Sequence, residues 1–272
     1  MYAFVMQPMT IPKEYYSWMI KTARMPANSL SLNRRNVRAL ESGDGHPSAA
    51  DILRTITENK GTAGAKIRAL DYFNACGGKM PVMPCSVLHP RERHCVRYNL
   101  ALWIKVFATT SPVYAALNFV PMILLKTDVL LKRPLPILKR NAQSTFRSAA
   151  FLATYVFIYM SLICLHRNSV KYNHIFRGDH KATYYIYGVL CASSIFIEAK
   201  QRRSELAMYV LPKGLQSLWT VLYARGQMIR VPYFDVIMSS VGMGVLMSVY
   251  QTEPHRMSTL LFKVMEKVIG RY

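Results

Sequence analysis

The densest grouping of chemically able side chains is Cys85-Ser-Val-Leu-His89-Pro-Arg-Glu-Arg-His94-Cys95, which puts four sulfur or imidazole donors within eleven residues. Zinc takes such donors, but its structural sites usually present two cysteines on a CxxC-type turn, and none is found here. In an oxidising compartment Cys85 and Cys95 could pair as a disulfide; in a reducing one the segment is a structural turn. Spacing favours the turn, so Cys85, His89 and Cys95 are carried forward as candidate residues with no metal expected.

A second grouping is charged. Glu198, Lys200, Arg202, Arg203, Glu205 and Lys213 fall within Glu198 to Trp219, between two apolar runs. Opposite charges at helical spacing, Glu198 with Arg202 and Arg202 with Glu205, read as an ion-paired face and not as an acid and base pair. The expected structure is an amphipathic continuation of the preceding apolar run. Lys200, Arg202 and Arg203 would then meet lipid headgroups, Leu206 to Leu211 would return to the apolar phase, and Pro212 would break the helix. No phosphate-cradling glycine loop, nucleophile elbow or HExxH helix is found, and an enzyme is not expected.

Composition names the medium in which these groups must sit. The chain has 272 residues, 51% of them hydrophobic, and a formal charge of +21. Such a basic, apolar chain wants an anionic neighbour, and its basic residues flank apolar runs instead of interleaving with aromatics on a soluble face. That excludes nucleic acid as the expected partner and favours an anionic membrane surface, with Lys132, Arg133 and Arg140 joining Lys200, Arg202 and Arg203 as headgroup candidates. Five scattered cysteines do not make a disulfide framework. The first forty residues are basic and acid-poor, as in a mitochondrial targeting segment or a basic surface arm, and no secretory signal is expected.

The elements follow from period and punctuation. Residues 1–97 read as a basic extramembrane arm. It holds a helix over Pro12 to Ala23, a capping box at Ser48-Ala-Ala-Asp51, and a second helix over Ala65 to Ala75 with Ile67, Leu70 and Phe73 inward, stopped by Gly77-Gly78. Residues 98–272 read as a membrane-embedded helical domain with about four embedded segments. Asn99 to Leu125 is interrupted by Pro112 and Pro121 and reads either as one kinked span or as a span plus an interfacial turn; Ser144 to Leu165 has the ~20-residue length that crosses a bilayer. Thr183 to Ile197 and Phe234 to Val249 are shorter and need bilayer thinning or helix association. Small residues at four-residue spacing support association, at Ser240, Gly244 and Ser248, and at Gly188 with Ala192. Basic residues follow both of the first two spans, so orientation stays open. The fold class is all-α, a multi-span helical membrane protein.

Four stretches, Cys85-Ser-Val-Leu-His-Pro, Phe146-Arg-Ser-Ala-Ala-Phe-Leu, Glu198 through Lys213, and Tyr250-Gln-Thr-Glu-Pro, resemble the transmembrane protein 135 family in order and approximate spacing. The charged block is the most specific. That family is similar to the four-span superfamily of mitochondrial inner-membrane translocase subunits, which also includes an accessory subunit of respiratory complex I and a peroxisomal membrane protein. The resemblance implies an all-helical fold in mitochondria or peroxisomes, with no catalytic residues to carry over. Tyr187-Gly-Val-Leu-Cys-Ala-Ser-Ser has fewer glycines than such third spans usually show, which weakens any inference of a translocation groove.

The expected function is a non-catalytic accessory subunit of a mitochondrial inner-membrane complex, a respiratory complex or ATP synthase, which binds cardiolipin-like lipid and neighbouring subunits. Structural phospholipid is the only cofactor expected. A translocase-like or metabolite-channel component of the mitochondrial or peroxisomal membrane is the alternative.

Overall fold

The computed structural model describes residues 2–125, 134–173, 178–227, 232–257, 262, 265–267 and 270. Among them all regular structure is helical. The chain forms two compact units, Met1–Leu218 and Trp219–Tyr272. The change of composition near residue 98 is therefore not a boundary between compact units: the N-terminal helices share a core with the first two long apolar helices.

The first unit opens with short helices α1 (Tyr2–Met6), α2 (Lys13–Ala23), α3 (Ala27–Ser42), α4 (Ala49–Glu58) and α5 (Ala63–Ala75). Pro12 and Pro26 cap α2 and α3 from outside, where a missing N–H costs nothing. At α4 the capping box forms as the sequence predicts: Ser48 Oγ accepts from the Asp51 N–H while the Asp51 carboxylate accepts from the Ser48 N–H. In α5 the inward face is Ala65, Ala69 and Tyr72, with Ile67 exposed, a rotation of the expected face. Small Ala65 and Ala69 let α5 approach Ile52 and Ile56 of α4 closely, and Tyr72 covers the remainder.

A single turn, α6 (Cys85–Leu88), leads into α7 (Cys95–Leu125) and α8 (Pro134–Asn168). α7 is one continuous helix of 31 residues despite Pro112 and Pro121. Thr109, Thr110 and Ser111, immediately before Pro112, donate their hydroxyls to the Lys105, Val106 and Phe107 carbonyls. Such hydroxyl bonds help a membrane helix tolerate proline.

α7 and α8 lie side by side, antiparallel. Asn99 donates to Ser161, Trp103 to Thr154 and Asn118 to Thr145. In lipid, apolar side chains gain little by leaving one hydrocarbon for another, so packing and interhelical bonds of about 0.6 kcal/mol each hold such pairs. Leu102 and Val106 of α7 and Ala153, Val156, Tyr159, Met160 and Ile163 of α8 form the dry seam, and Phe4, Val5 and Met6 of α1 close over it.

The chain continues through α9 (Lys181–Cys191), a 3₁₀ segment (Ala192–Ile197), α10 (Lys200–Ala224) and α11 (Phe234–Thr252). α10 runs through Pro212, so the expected break there does not occur. Among the described residues three stretches are long and apolar enough to cross a membrane: Cys95–Val120, Leu135–Lys171 and Phe234–Thr252. The expected third segment, Thr183 to Ile197, becomes part of eleven residues of α-helix and six of 3₁₀. In the second unit Trp219 stacks on Phe234, with ring centres 5.2 Å apart, and the Tyr250 hydroxyl donates to the Gly270 carbonyl.

At 1.5 Å per residue, α7 and α8 run for roughly 46 and 52 Å, more than the ~30 Å of a hydrocarbon core. Their antiparallel pairing brings Cys95, at the start of α7, close to Cys164, near the end of α8.

Candidate metal centre

Two prolines bound the turn that carries the first two donors. Pro84 caps α6 and Pro90 follows its C-cap residue His89, so the helix cannot lengthen in either direction without cost. Within that turn the His89 N–H donates to the Cys85 carbonyl at 2.9 Å, which puts the two side chains four residues apart on one face. Leu88 is buried in the core of the long helices and Val87 in the core of α4 and α5. The Ser29 hydroxyl binds the Val87 carbonyl at 2.7 Å, and the Thr62 N–H binds the Pro90 carbonyl. The turn is thus fixed from both sides before any ligand is considered.

Four donor atoms converge there: the thiols of Cys85, Cys95 and Cys164 and a ring nitrogen of His89, all within 4.8 Å of one another. Cys95 starts α7 and Cys164 comes from α8. His94 does not take part, and its side chain is exposed. Sequence reasoning therefore found three of the four donors, counted His94 as one, and missed Cys164. The missing signal was tertiary, because Cys164 lies far along the chain inside an apolar helix where a lone cysteine reads as packing.

The imidazole is oriented. His89 Nδ1 lies 2.9 Å from the Glu92 carbonyl oxygen, which can only accept, so Nδ1 carries the proton. Nε2 is left facing Cys164 Sγ at 3.9 Å. The ring stacks on Tyr98 with 4.7 Å between centres and is only 3% exposed, so rotation is blocked. Burial alone pulls the His89 pKa down. Hydrogen bonds with Cys85 and Cys95 and with the Glu92 carbonyl outweigh it and carry the value up to about 10. All five cysteines of the chain are free thiols, Cys85 and Cys95 included.

Beside the cluster is a pocket of about 190 Å³ lined by Cys85, His89, Cys95, Arg93, Arg167 and Lys171, among others. Lys171 also lies over the Tyr72 ring, 5.4 Å from its centre. Arg167 is 4% exposed; its Nη2 donates to Asn33 Oδ1 at 2.8 Å, while Nε and Nη1 have no partner among the described residues. Asn33 in turn donates to the Tyr184 hydroxyl, which donates to Asp179, and Asp179 lies 3.3 Å from His166 Nε2. This buried polar chain ties α3, α8 and α9 together next to the donor cluster.

The headgroup candidates divide. Lys200 and Arg140 are exposed, while Lys132 and Arg133 lie outside the described residues. Arg202 turns inward: its Nη1 reaches Ser148 Oγ at 2.9 Å, Ser144 Oγ at 3.1 Å and Asn118 Oδ1 at 3.5 Å. Arg203 donates to the Glu198 and Phe196 carbonyls and covers the Phe196 ring, ending the 3₁₀ segment. Arg147 serves that segment too, donating to the Ile197 carbonyl at 3.0 Å. Of the small-residue candidates, Ser240, Gly244 and Ser248 are exposed on α11, Gly188 is half-buried and Ala192 exposed.

The donor set of three thiols and one imidazole is one that zinc takes in closed, four-coordinate structural sites. Comparison with known proteins gives no match to a family model, a curated protein or a solved structure.

Proposed function

We propose that the protein is a non-catalytic accessory subunit of a membrane assembly, embedded by its long helices and held by lipid and neighbouring subunits. The observation that carries this reading is α11. It is 19 residues long and apolar, and its Ser240, Gly244 and Ser248 face is uncovered: a Cβ added at Gly244 would meet nothing within 4 Å. An apolar helix needs lipid around it, and a small-residue stripe lets another backbone approach. α7 adds a second such face in Val96, Leu100, Ile104, Val113 and Leu117, all more than half exposed at mostly helical spacing.

The organelle favoured is the mitochondrion, at its inner membrane, with the peroxisomal membrane second. The support is the basic balance of the chain and the resemblance carried by Glu198 to Lys213. Exposed Lys200 and Arg140 are placed to meet anionic, cardiolipin-like lipid. α9 with its 3₁₀ extension acts as a fourth, short embedded segment, shortened by Arg147 and Arg203 holding its end. The Arg202 side chain fills the polar seam between α7 and α8, which favours a closed structural bundle over a conducting one.

Native gels of membranes extracted in mild detergent, with mass spectrometry of the bands, test the proposal. Co-migration with other membrane subunits is expected. Migration as a free monomer under conditions that preserve known complexes rejects it.

A further inference from the structure

We propose that Cys85, His89, Cys95 and Cys164 bind a single zinc ion in a closed tetrahedral site that fastens the 85–95 segment to α8.

The geometry points to one metal. Zinc bonds of about 2.0–2.3 Å in a tetrahedron set ligand atoms roughly 3.5–3.8 Å apart. The four donors lie within 4.8 Å of one another without an ion, so a contraction of about an ångström completes the sphere. A binuclear iron–sulfur cluster also takes cysteines and histidine, but ligands on different irons stand farther apart than donors sharing one ion. Four protein ligands leave no open coordination position, which makes the site structural and not catalytic.

The surroundings are those of a metal ligand shell. His89 gives its Nδ1 proton to a backbone carbonyl and presents Nε2 to the thiols, the second-shell arrangement that fixes a histidine for coordination. Asn168 Nδ2 donates to Cys95 Sγ at 3.7 Å. Binding displaces the three thiol protons and the His89 Nε2 proton to solvent and leaves three thiolates and a neutral imidazole on a divalent cation, a site of net charge −1. The buried Arg167 guanidinium lines the same pocket, with Nε and Nη1 unpartnered among the described residues. A buried cation needs a compensating negative charge, and the zinc–thiolate group adds one at that wall.

The arrangement also explains its own parts. Cys85 and His89 come from a turn fixed by the extramembrane helices, whereas Cys95 and Cys164 belong to the antiparallel long helices. One ion therefore joins a locally folded segment to the membrane pair, and its binding energy becomes stability of that junction.

The test uses the full chain in detergent. Zinc content is measured in protein purified without added metal, and the metal-free chain is then titrated with Co²⁺ followed by Zn²⁺. About one zinc per chain is expected, with one Co²⁺ giving thiolate charge-transfer and tetrahedral d–d bands that zinc abolishes. Cys164→Ser should weaken Co²⁺ binding by more than the roughly 10–100-fold cost of outer-shell changes. Cys76→Ser and Cys191→Ser should leave it unchanged. Where Cys164→Ser loses its helical circular dichroism, Cys85→Ser serves instead, because Cys85 is only half-buried. Folded chain without tetrahedral Co²⁺–thiolate bands, unchanged affinity in the folded Cys164→Ser or Cys85→Ser variant, or a Cys85–Cys95 disulfide in zinc-free protein as isolated would each overturn the proposal.

Discussion

His89 Nε2 stands 3.9 Å from Cys164 Sγ, across a separation of 75 residues in the chain. The contact joins a proline-bounded turn, whose position is set by α3, α4 and α5, to a helix whose position is set by its antiparallel neighbour. Anything that moves the turn as a body should open this distance while leaving the long helices paired. The turn has one point of very close approach. A Cβ built on Gly61 would lie 2.6 Å from Pro90 Cβ and 2.5 Å from Ile56 Cγ2.

Gly61→Ala is therefore expected to displace Pro90, and His89 with it, from its seat against Gly61. Overpacking of this kind costs about 1–3 kcal/mol, which for a unit of this size lowers the melting temperature by several degrees. The sharper readout is local. Alkylation of Cys85 and Cys95 should quicken relative to wild type, while buried Cys191 stays slow. Equal acceleration at Cys191 would mean general loosening and would refute the directed displacement.

Arg202 illustrates what sequence pattern can and cannot place. Its neighbours identified a charged face beside an apolar run, and Lys200 does lie exposed on it. Yet Arg202 is bound by Ser148, Ser144 and Asn118, groups 54, 58 and 84 residues away. No helical period within α10 carries that information. Arg202→Met should destabilise the unit by about 1.5–3 kcal/mol, the usual worth of a hydrogen bond to a charged group. Adding Ser148→Ala to that variant should cost less than Ser148→Ala alone, because the bond is already gone. Strict additivity in thermal unfolding would exclude the contact. The Arg140→Glu and Lys200→Glu pair, by contrast, should reduce retention of anionic lipid with stability little changed.

The local signals were legible because they are complete within a few residues. Ser48 with Asp51, Pro12 before α2, Gly77-Gly78 after α5 and the apolar length of α8 each state their own structure. α3 was missed because its buried side includes Ser29, Asn33 and Asn36, polar groups that break the apolar period. Those residues are buried because of what they bind: Ser29 takes the Val87 carbonyl, Asn36 the Met80 carbonyl and Asn33 the Tyr184 hydroxyl. Cys164 was missed for the same reason, its partners being distant. Pro212 misled in the opposite direction, since α10 runs on through it, whereas the unbroken α7 is one of the two arrangements that Pro112 left open.

Asp179 closes the buried chain from Asn33 through Tyr184, and it also faces His166. Its backbone is held as well, the Asp179 N–H donating to the Pro81 carbonyl at 2.8 Å. Removing the carboxylate leaves the buried Tyr184 hydroxyl without its acceptor and takes a negative charge from the neighbourhood of the buried Arg167. Asp179→Ala should therefore cost about 3–5 kcal/mol, the penalty for breaking a buried charged pair. Tyr184→Phe removes only the relay and should cost about 1–3 kcal/mol. If the two substitutions prove equal in chemical unfolding of the detergent-solubilised chain, the carboxylate carries no more than its one hydrogen bond and the network reading fails.

Asp51 gives the pH dependence with the clearest sign. The Ser48 backbone N–H, set against a smaller opposing effect of burial, holds the Asp51 carboxyl below its ordinary 3.8, with the Ser48 hydroxyl and Arg35 adding to the shift. A depressed folded-state value means that the charged form is the one the fold favours. Its contribution is thus fully present above the unfolded-state value near 3.8 and fades as pH falls through the lower folded-state value. Asp51→Asn should flatten the acid limb of the stability curve of α4 without changing its neutral plateau by more than the loss of the Arg35 ion pair, which is half exposed and worth little. Ser48→Ala removes the other half of the box and should cost about 1 kcal/mol at neutral pH. Hydrogen exchange of the first turn of α4, followed from pH 7 down to 3, reads both effects at the residues that make them. Protection there that is the same in wild type and Asp51→Asn at every pH would show that the carboxylate does not hold this helix end.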